Sequence, residues 1–398
     1  MKIFHIADTH LGFSAYNKLE PDSGLNQREV DFYNVFKKFI DTAIEQKPDL
    51  ILHSGDFFDS VRPTNRAISF ALEQLLRLSQ AKIPIVLIAG NHETPRLRET
   101  GSVFRLFEHL DHVYPVYKGK YECLEFPELE LKVHCVPHCM NPEVLQGSLE
   151  KLIPDPETKH NIAMLHAAIV GVTAFRSNEF NEQDVASGYL KPEFDYIALG
   201  HYHEFIKVDE NAYYSGSMER VNFLEASHES KGFIELVFED FSGGEETTDD
   251  DLEVFYPEPV FHELQTRPML DLPPIDCSVM DKYEIGNEIL KRIEDVVPDD
   301  KILRLKIKNL PIEVYKSLDF NQFRKLTSPA LQFEIQYDVT RDDSEVAAPD
   351  VRFEVLGNEF KSFLTSEAIE GLDKDKLVSM GLDYLTKAGA DIDKSSEE

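Results

Sequence analysis

The chain has 398 residues, of which 42% are hydrophobic and 29% charged, with a net charge of −32. At roughly 100–200 residues per domain this allows two or three globular domains with a sizeable core, and the acidity excludes a generally basic, DNA-coating protein while leaving room for a local basic surface. Four cysteines imply no disulfide framework. No apolar run approaches the ~20 residues of a membrane span, and in the opening MKIFHIADTH Asp8 comes too early for a signal-peptide core, so the cytoplasm is the expected compartment and no membrane partner is expected.

The first half alternates short apolar runs with amphipathic ones. Residues 2–7 read as a strand. Residues 26–45 read as a helix, with Val30, Phe32, Val35, Phe36, Phe39, Ile40 and Ala43 near 3.6-residue spacing. Strands at 50–53 and 85–89 follow, with a helix at 64–78 capped by Thr64 and a short helix at 102–110. Further strands are expected at 132–136, 162–166, 196–199, 212–215 and 232–239. The expected fold class is α/β, a buried sheet with a second sheet packed on it and helices on the flanks.

Residues 241–253, FSGGEETTDDDLE, form an acidic tract, either a partner-binding segment or a solvated hairpin loop. After Pro257 and Pro259 the pattern changes. A helix at 282–296 and strands at 302–307 and 331–337 predict a smaller α/β domain over 258–340. RDDSEVAAPD at 341–350 begins a linker reaching residue 352. Two amphipathic helices are expected beyond it, one with Phe353, Leu356, Phe360, Phe363 and Leu364 on one face, the other with Leu377, Val378, Gly381, Leu382 and Leu385, capped by Asp373. They pack on their own domain or dock on a partner.

Five motifs occur in order, most of them just after a predicted strand: Asp8-Thr9-His10, Gly55-Asp56-Phe57-Phe58-Asp59, Gly90-Asn91-His92-Glu93, His166, and Gly200-His201-Tyr202-His203. Carboxylates, imidazoles and an amide are hard-to-borderline metal ligands. The absence of cysteine among them disfavours structural zinc and iron–sulfur clusters and favours a hydrolytic metal pair. In an α/β sheet the carboxyl ends of the strands converge on one crevice, so ligands from five segments can meet there. The glycines before Asp56, Asn91 and His201 permit tight turns and close backbone approach. Nearby in sequence, HCVPHC at 134–139 invites a zinc reading, but Val136 and Pro137 fit a strand end, and the cysteines are read as structural.

This ordered set resembles the calcineurin-like metallophosphoesterases. The flanks HIADTHLGFSAY (5–16), LHSGDFFDSVRPTNRAISFAL (52–72), IAGNHETPRL (88–97) and IALGHYHE (197–204) resemble the Mre11/SbcD DNA-repair nucleases. Protein phosphatases of the superfamily carry an Arg directly after the second Asp of the Gly-Asp-x-x-Asp motif; here Ser60 follows Asp59. The resemblance implies a two-sheet metallophosphoesterase sandwich over 1–257, a capping, DNA-binding domain over 258–340, a linker over 341–352, and C-terminal helices over 353–398 that dock a Rad50/SbcC-type ATPase. It also implies two Mn2+ ions per subunit. Asp8, His10, Asp56 and His203 would hold the first ion, and Asp56, Asn91, His166 and His201 the second, with Asp56 bridging. His92 would be the catalytic histidine, stabilising developing charge or protonating the leaving 3′ oxygen. Asp59 would be the carboxylate that fixes its tautomer and raises its pKa, or else a turn-stabilising residue.

By the same resemblance the activity would be manganese-dependent 3′-to-5′ exonuclease action on duplex ends and endonuclease action on single strands, in double-strand break repair at the nucleoid. Arg62, Arg66, Arg96, Arg98, Arg176 and Arg220 are the basic residues nearest the motifs in sequence, and are either phosphate contacts or ordinary solvated arginines. The family's homodimer would use the helices at 64–78 and 102–110, through Leu72, Leu75, Phe104 and Phe107. Two alternatives stand beside this reading: a phosphodiesterase acting on small molecules or nucleotides, and a scaffold that binds DNA ends and regulates the ATPase.

Overall fold

The computed structural model describes residues 1–96, 101–172, 183–225, 230–239, 256–296, 298–340, 376–381 and 384. In chain order the elements begin with β1 (Lys2–Ile6), α1 (Gln27–Gln46), β2 (Leu50–His53), α2 (Asn65–Ala81), β3 (Ile85–Ile88), a 3-10 helix (Val103–His109) and β4 (Val113–Val116). Then come β5 (Glu122–Phe126), β6 (Leu131–Val136), α3 (Pro142–Leu149), β7 (His160–His166), the short pair β8 (Ala168–Ile169) and β9 (Asp184–Val185), β10 (Tyr196–Gly200), β11 (Ile206–Asp209), β12 (Ala212–Tyr214), β13 (Gly232–Val237) and β14 (Val260–Glu263). The last are β15 (Met269–Asp276), α4 (Ile285–Glu294), β16 (Ile302–Pro311), α5 (Ile312–Ser317), α6 (Phe320–Thr327) and β17 (Gln332–Thr340). Two compact units are present, Met1–Leu310 with Ser317–Asp338, and Pro311–Lys316 with Val339–Glu398. Of the second, residues 376–381 are helical.

Both large sheets are six-stranded. The first has the order β14-β13-β1-β2-β3-β4, the second β11-β12-β10-β7-β6-β5. Strand alternation sorts the residues between layers. Ile3, Leu50, Leu52, Val86 and Ile88 of the first sheet pack with Val133, Ile162, Met164, Tyr196 and Ala198 of the second. Their neighbours Phe4, Ile51, Ile85 and Leu87 face the other way, into a cluster with Phe36 and Phe39 of α1 and Leu75 of α2. On the outer face of the second sheet, Ala163, Leu165, Ile197 and Leu199 pack with Leu149 of α3. Burial on both faces explains why these strands read as continuous apolar runs.

Helix starts follow from cap chemistry. The Asn26 side chain accepts from the amides of Arg28 and Glu29, and Thr64 accepts from Ala67, which places both predicted first residues just outside α1 and α2. The 3-10 helix Val103–His109 replaces the helix expected at 102–110. Its Phe104 and Phe107, like Leu75 of α2, are fully buried in the protomer's own core. That corrects the expected dimer contacts: these side chains are already spent on folding, Leu72 is partly buried against the same core, and the apolar residues these elements expose are Leu76 and Leu106.

A three-stranded sheet of order β15-β16-β17 forms beyond residue 268. The sequence reading missed β15, MLDLPPID, because two prolines argue against a strand. The sheet tolerates them because β15 is an edge strand, with a register shift between Leu272 and Ile275. β14, also unforeseen, pairs with β13 on the edge of the first sheet, so that sheet extends past residue 257. The acidic tract at 245–253, the linker at 341–352 and the first terminal helix lie outside the described residues. Among the described residues no helix is long and apolar enough to cross a membrane.

Three buried histidines set an acid limit on this core. Burial lowers His5 to about 3 (against a backbone hydrogen bond), His53 to about 3 and His138 to about 4, from the ordinary 6.5. Each stays neutral when folded while the unfolded chain takes a proton below 6.5. The unfolded state therefore binds more protons in that window, and stability falls with pH. Each histidine is expected to cost about 1.4 kcal/mol per pH unit from near 6.5 down to near 4. Buried carboxyls raised by burial, Asp8 and Glu93, work the other way in that window, so the check is a difference: His5→Asn should make the urea midpoint fall less steeply between pH 7 and 4 than in the unaltered protein, and an unchanged slope contradicts it.

Candidate metal centre

All five motifs sit at strand C-termini. β1, β2 and β3 run parallel in the first sheet and lead into the loops of Asp8 and His10, Asp56, and Asn91 and His92. β7 and β10 run parallel in the second, one ending on His166 and the other leading into His201 and His203. The loops lock to one another: the amides of Asp8, His10 and Leu11 donate to the carbonyls of Gly55, Asp56 and Phe57 at 2.9, 3.0 and 2.9 Å. Glu93, fully buried, accepts from the amides of Gly90 (2.9 Å) and Phe57 (3.2 Å) and so ties two ligand loops together. Burial, with the nearby Asp56 charge, pushes its carboxyl up to about 8.

The site's backbone is strained. Asp8, His10, Asp56 and His201 have φ of 51°, 41°, 52° and 109°, in the left-handed region that non-glycine residues avoid at a cost of order 1–3 kcal/mol each. The glycines serve close approach: a Cβ on Gly55 would lie 2.1 Å from His166 Nδ1, one on Gly90 2.1 Å from Asp56 Oδ1, and one on Gly200 2.0 Å from the Ser54 carbonyl oxygen.

Among the described residues the structure forms three groups whose donor atoms lie within 4.8 Å of one another: Asp8 with His10 and His203, Asp56 with His166 and His201, and, joining the first to the rim, His10 with Asp59 and His92. His10 Nε2 and His203 Nε2 are 3.1 Å apart. Asn91 Oδ1 stands 2.9 Å from His166 Nε2, and Asp56 Oδ2 is 3.4 Å from that same nitrogen. The other side of the His166 ring is anchored. His166 Nδ1 donates to the Ser54 carbonyl (2.8 Å), which turns Nε2 inward. Asp8 accepts from the His201 amide with both oxygens at 3.1 Å, and Asp56 Oδ1 accepts from the His92 amide at 3.0 Å.

His92 is only partly buried and stands at the rim. Its Nδ1 donates to Asp59, but to the main-chain carbonyl at 3.0 Å. The Asp59 carboxylate is 3.9 Å from that nitrogen and 3.4 Å from His10 Nδ1. The tautomer is thus set by backbone, which corrects the expectation that the carboxylate does it. His92 Nε2 faces inward, 4.0 Å from Asp56 Oδ2.

The electrostatics suit a cation. Asp56 Oδ2 is buried without a hydrogen bond, and a buried acceptor of this kind is costly unless something positive meets it. Burial raises the Asp8 carboxyl to about 6, against the pull of His166 and His203. Burial works the same way on Asp56, but His166, His92 and His10 outweigh it and hold that carboxyl well below the usual range. His166, lowered by burial, is raised on balance to about 9 by Asp56 and Asp8. The protons these groups share are ones a bound divalent ion displaces. The donor set of carboxylate, imidazole and amide oxygen fits such an ion.

Of the six arginines singled out above, Arg62, Arg66 and Arg96 are exposed. Arg66 is clamped by Glu29 through two bonds of 2.8 Å, and Arg220 bonds Thr266 at 2.5 Å. Arg98 and Arg176 lie outside the described residues. Cys135 and Cys139 are buried, and His134 is bonded to Tyr121 and Asn161, in keeping with a structural role. Sequence reasoning assigned no role to Glu93 and missed Glu225, whose Oε1 is 3.1 Å from His203 Nδ1. Glu93 sat inside a quoted motif, but nothing local marks Glu225.

A two-sheet sandwich with acid, imidazole and amide ligands at its strand ends defines a metallophosphoesterase, and the chain belongs to the calcineurin-like phosphoesterases, whose family model matches residues 1–205. That family fold implies divalent metal binding. The curated relatives include the DNA double-strand break repair proteins Mre11 of three archaea. The Sulfurisphaera tokodaii protein is 32% identical over 204 residues, 51% of this chain and 49% of that one. That of Methanocaldococcus jannaschii is 34% identical over 256 residues, 62% of this chain and 64% of its own. That of Archaeoglobus fulgidus is 26% identical over 412 residues, covering 98% and 86%. The chain spans about half the length of most of the curated relatives it matches.

Proposed function

We propose that this protein is a manganese-dependent DNA nuclease that trims duplex ends 3′-to-5′, cuts single strands, and processes double-strand breaks at the nucleoid with a Rad50/SbcC-type ATPase. The observation that carries the reading is the assembly of two donor groups at the strand ends, Asp8 with His10 and His203 and the buried Asp56 with His166 and His201, with His92 at the rim. The names of the curated relatives support the choice of DNA as substrate. Asp8, His10, Asp56 and His203 would hold one Mn2+, and Asp56, Asn91, His166 and His201 the other. Such a pair supplies Lewis-acid charge to a phosphodiester and lowers the pKa of a water. His92, with Nδ1 committed to the Asp59 carbonyl, presents Nε2 to the reacting phosphate, to stabilise developing charge or carry a proton to the leaving 3′ oxygen. The Asp59 carboxylate lies 3.4 Å from His10 Nδ1 and 3.9 Å from His92 Nδ1.

Arg62 and Arg96, exposed beside the second and third motifs, are the arginines we assign to DNA phosphates. The cap over 258–340 would guide the DNA and the segment 353–398 dock the ATPase. A homodimer would form on the faces of α2 and the 3-10 helix that carry Leu76 and Leu106. The test is digestion of end-labelled duplex DNA with Mn2+, beside bis-p-nitrophenyl phosphate as a small substrate. Shortening from 3′ ends is expected. Cleavage of the small substrate with intact DNA would instead make the protein a small-molecule phosphodiesterase.

A further inference from the structure

Behind the first ligand group lies an ion pair beyond the family-model match. Glu225 and Lys231 are 6% and 1% exposed. A buried ammonium is tolerated only when its donors are used. Lys231 Nζ donates to Glu225 Oε2 (2.7 Å), Ser217 Oγ (3.0 Å) and the His203 carbonyl (2.6 Å). Glu225 Oε1 faces His203 Nδ1 at 3.1 Å and also accepts from the amides of Val221 (3.2 Å) and Asn222 (3.3 Å).

An ionised carboxylate only accepts, so His203 Nδ1 carries the proton. Its Nε2 is then the bare nitrogen, and that is the atom 3.1 Å from His10 Nε2 in the first ligand group. We propose that Glu225 is a positioning residue for His203, itself locked by Lys231, and that this pair sets the affinity of the first metal position. The two positions then differ. His166, in the second group, is anchored by the neutral Ser54 carbonyl, whereas His203 leans on a charged acceptor, which raises the basicity of a ligating imidazole. Lys231 holds the second carboxylate oxygen and so keeps Glu225 from turning into the site as a ligand. The inference rests on His203 being a metal ligand, as proposed above.

The experiment is titration of the full chain with Mn2+ alone, followed by calorimetry and by the electron paramagnetic resonance of free Mn2+. Glu225→Ala should weaken one of two Mn2+ sites by about 10- to 100-fold and spare the other. The double variant Glu225→Gln with Lys231→Met keeps an acceptor oxygen for Nδ1 and removes both buried charges together. It should recover the part of that loss that comes from ring orientation and leave the part that comes from the acceptor's charge, with the second site spared in both variants. Folded Glu225→Ala protein with both sites at full affinity overturns the inference, as does a double variant as weak as Glu225→Ala. His203→Ala with both sites unchanged overturns the ligand assignment itself, and this inference with it. Should Glu225→Ala not fold, the imidazole nitrogen shifts of His203 in the unaltered protein decide: a proton on Nδ1 is expected, and one on Nε2 overturns the proposal.

Discussion

His92→Ala is expected to lower phosphodiester cleavage by about 10²- to 10⁴-fold, the usual range for losing a positioned acid or base, while Mn2+ binding stays within a few-fold. The geometry separates the two effects. His92 holds Asp56 through its main-chain amide, 3.0 Å from Oδ1, and alanine keeps that bond. The imidazole is absent from the groups that contain Asp56 and Asp8; it lies with His10 and Asp59 in a third group at the rim, and its ring is partly open to solvent. His201→Ala is the contrast, because its ring belongs to the group with Asp56 and His166; there Mn2+ affinity falls first and cleavage follows. Calorimetric Mn2+ titration beside single-turnover cleavage distinguishes them. If His92→Ala loses metal as severely as His201→Ala, the division of roles is wrong.

Gly90→Ala, a change of one methyl group, should cost as much activity as losing a ligand. The new Cβ would stand 2.1 Å from Asp56 Oδ1, 2.4 Å from the Asp56 amide nitrogen and 2.8 Å from Asp56 Cγ. None of these atoms can swing aside, since Asp56 is already held at φ 52° and its Oδ1 already accepts from His92. The loops carrying Asp56 and Asn91 must therefore part. Displacements near 1 Å cost on the order of 10²-fold in rate, and overpacking a tight interior costs about 1–3 kcal/mol of stability. The expected result is at least a hundredfold loss of cleavage, weaker Mn2+ binding and a lower Tm. Gly147→Ala is the matched control. Gly147 lies in α3 with nothing within 4 Å of its built Cβ, so alanine there should be neutral or stabilise by up to about 1 kcal/mol. Normal activity in Gly90→Ala would mean that the loops yield easily, against the packing described.

Much of the fold was legible because its signals are local. Asn26 and Thr64 announce helix starts through side chains that reach amides two or three residues on. The strands β1, β2, β3, β7 and β10 are apolar runs bounded by polar turns, and each is followed at once by chemistry-bearing residues, so the ligand candidates could be read off as short motifs. The glycines before Asp56, Asn91 and His201 belong to the same local grammar.

Contacts between distant segments were not legible. β14 joins the first sheet, and β15 keeps two prolines at an edge, only because of partners elsewhere in the chain. Leu75, Phe104 and Phe107 have the periodicity of an exposed dimer stripe, yet the core of their own protomer takes them. That Asp59 meets His92 with its carbonyl depends on the path of the backbone, which residue identity does not specify. Glu225 reaches His203 across 22 residues, and Lys231 completes the pair. The sequence by itself determined the strand-and-motif order and the kinds of donor atom, because side-chain chemistry and short-range periodicity are written residue by residue. Only the tertiary structure decided which donors meet, which ring nitrogen faces inward and which apolar faces remain exposed, because those depend on how separate strands pack and on what burial does to the charges between them.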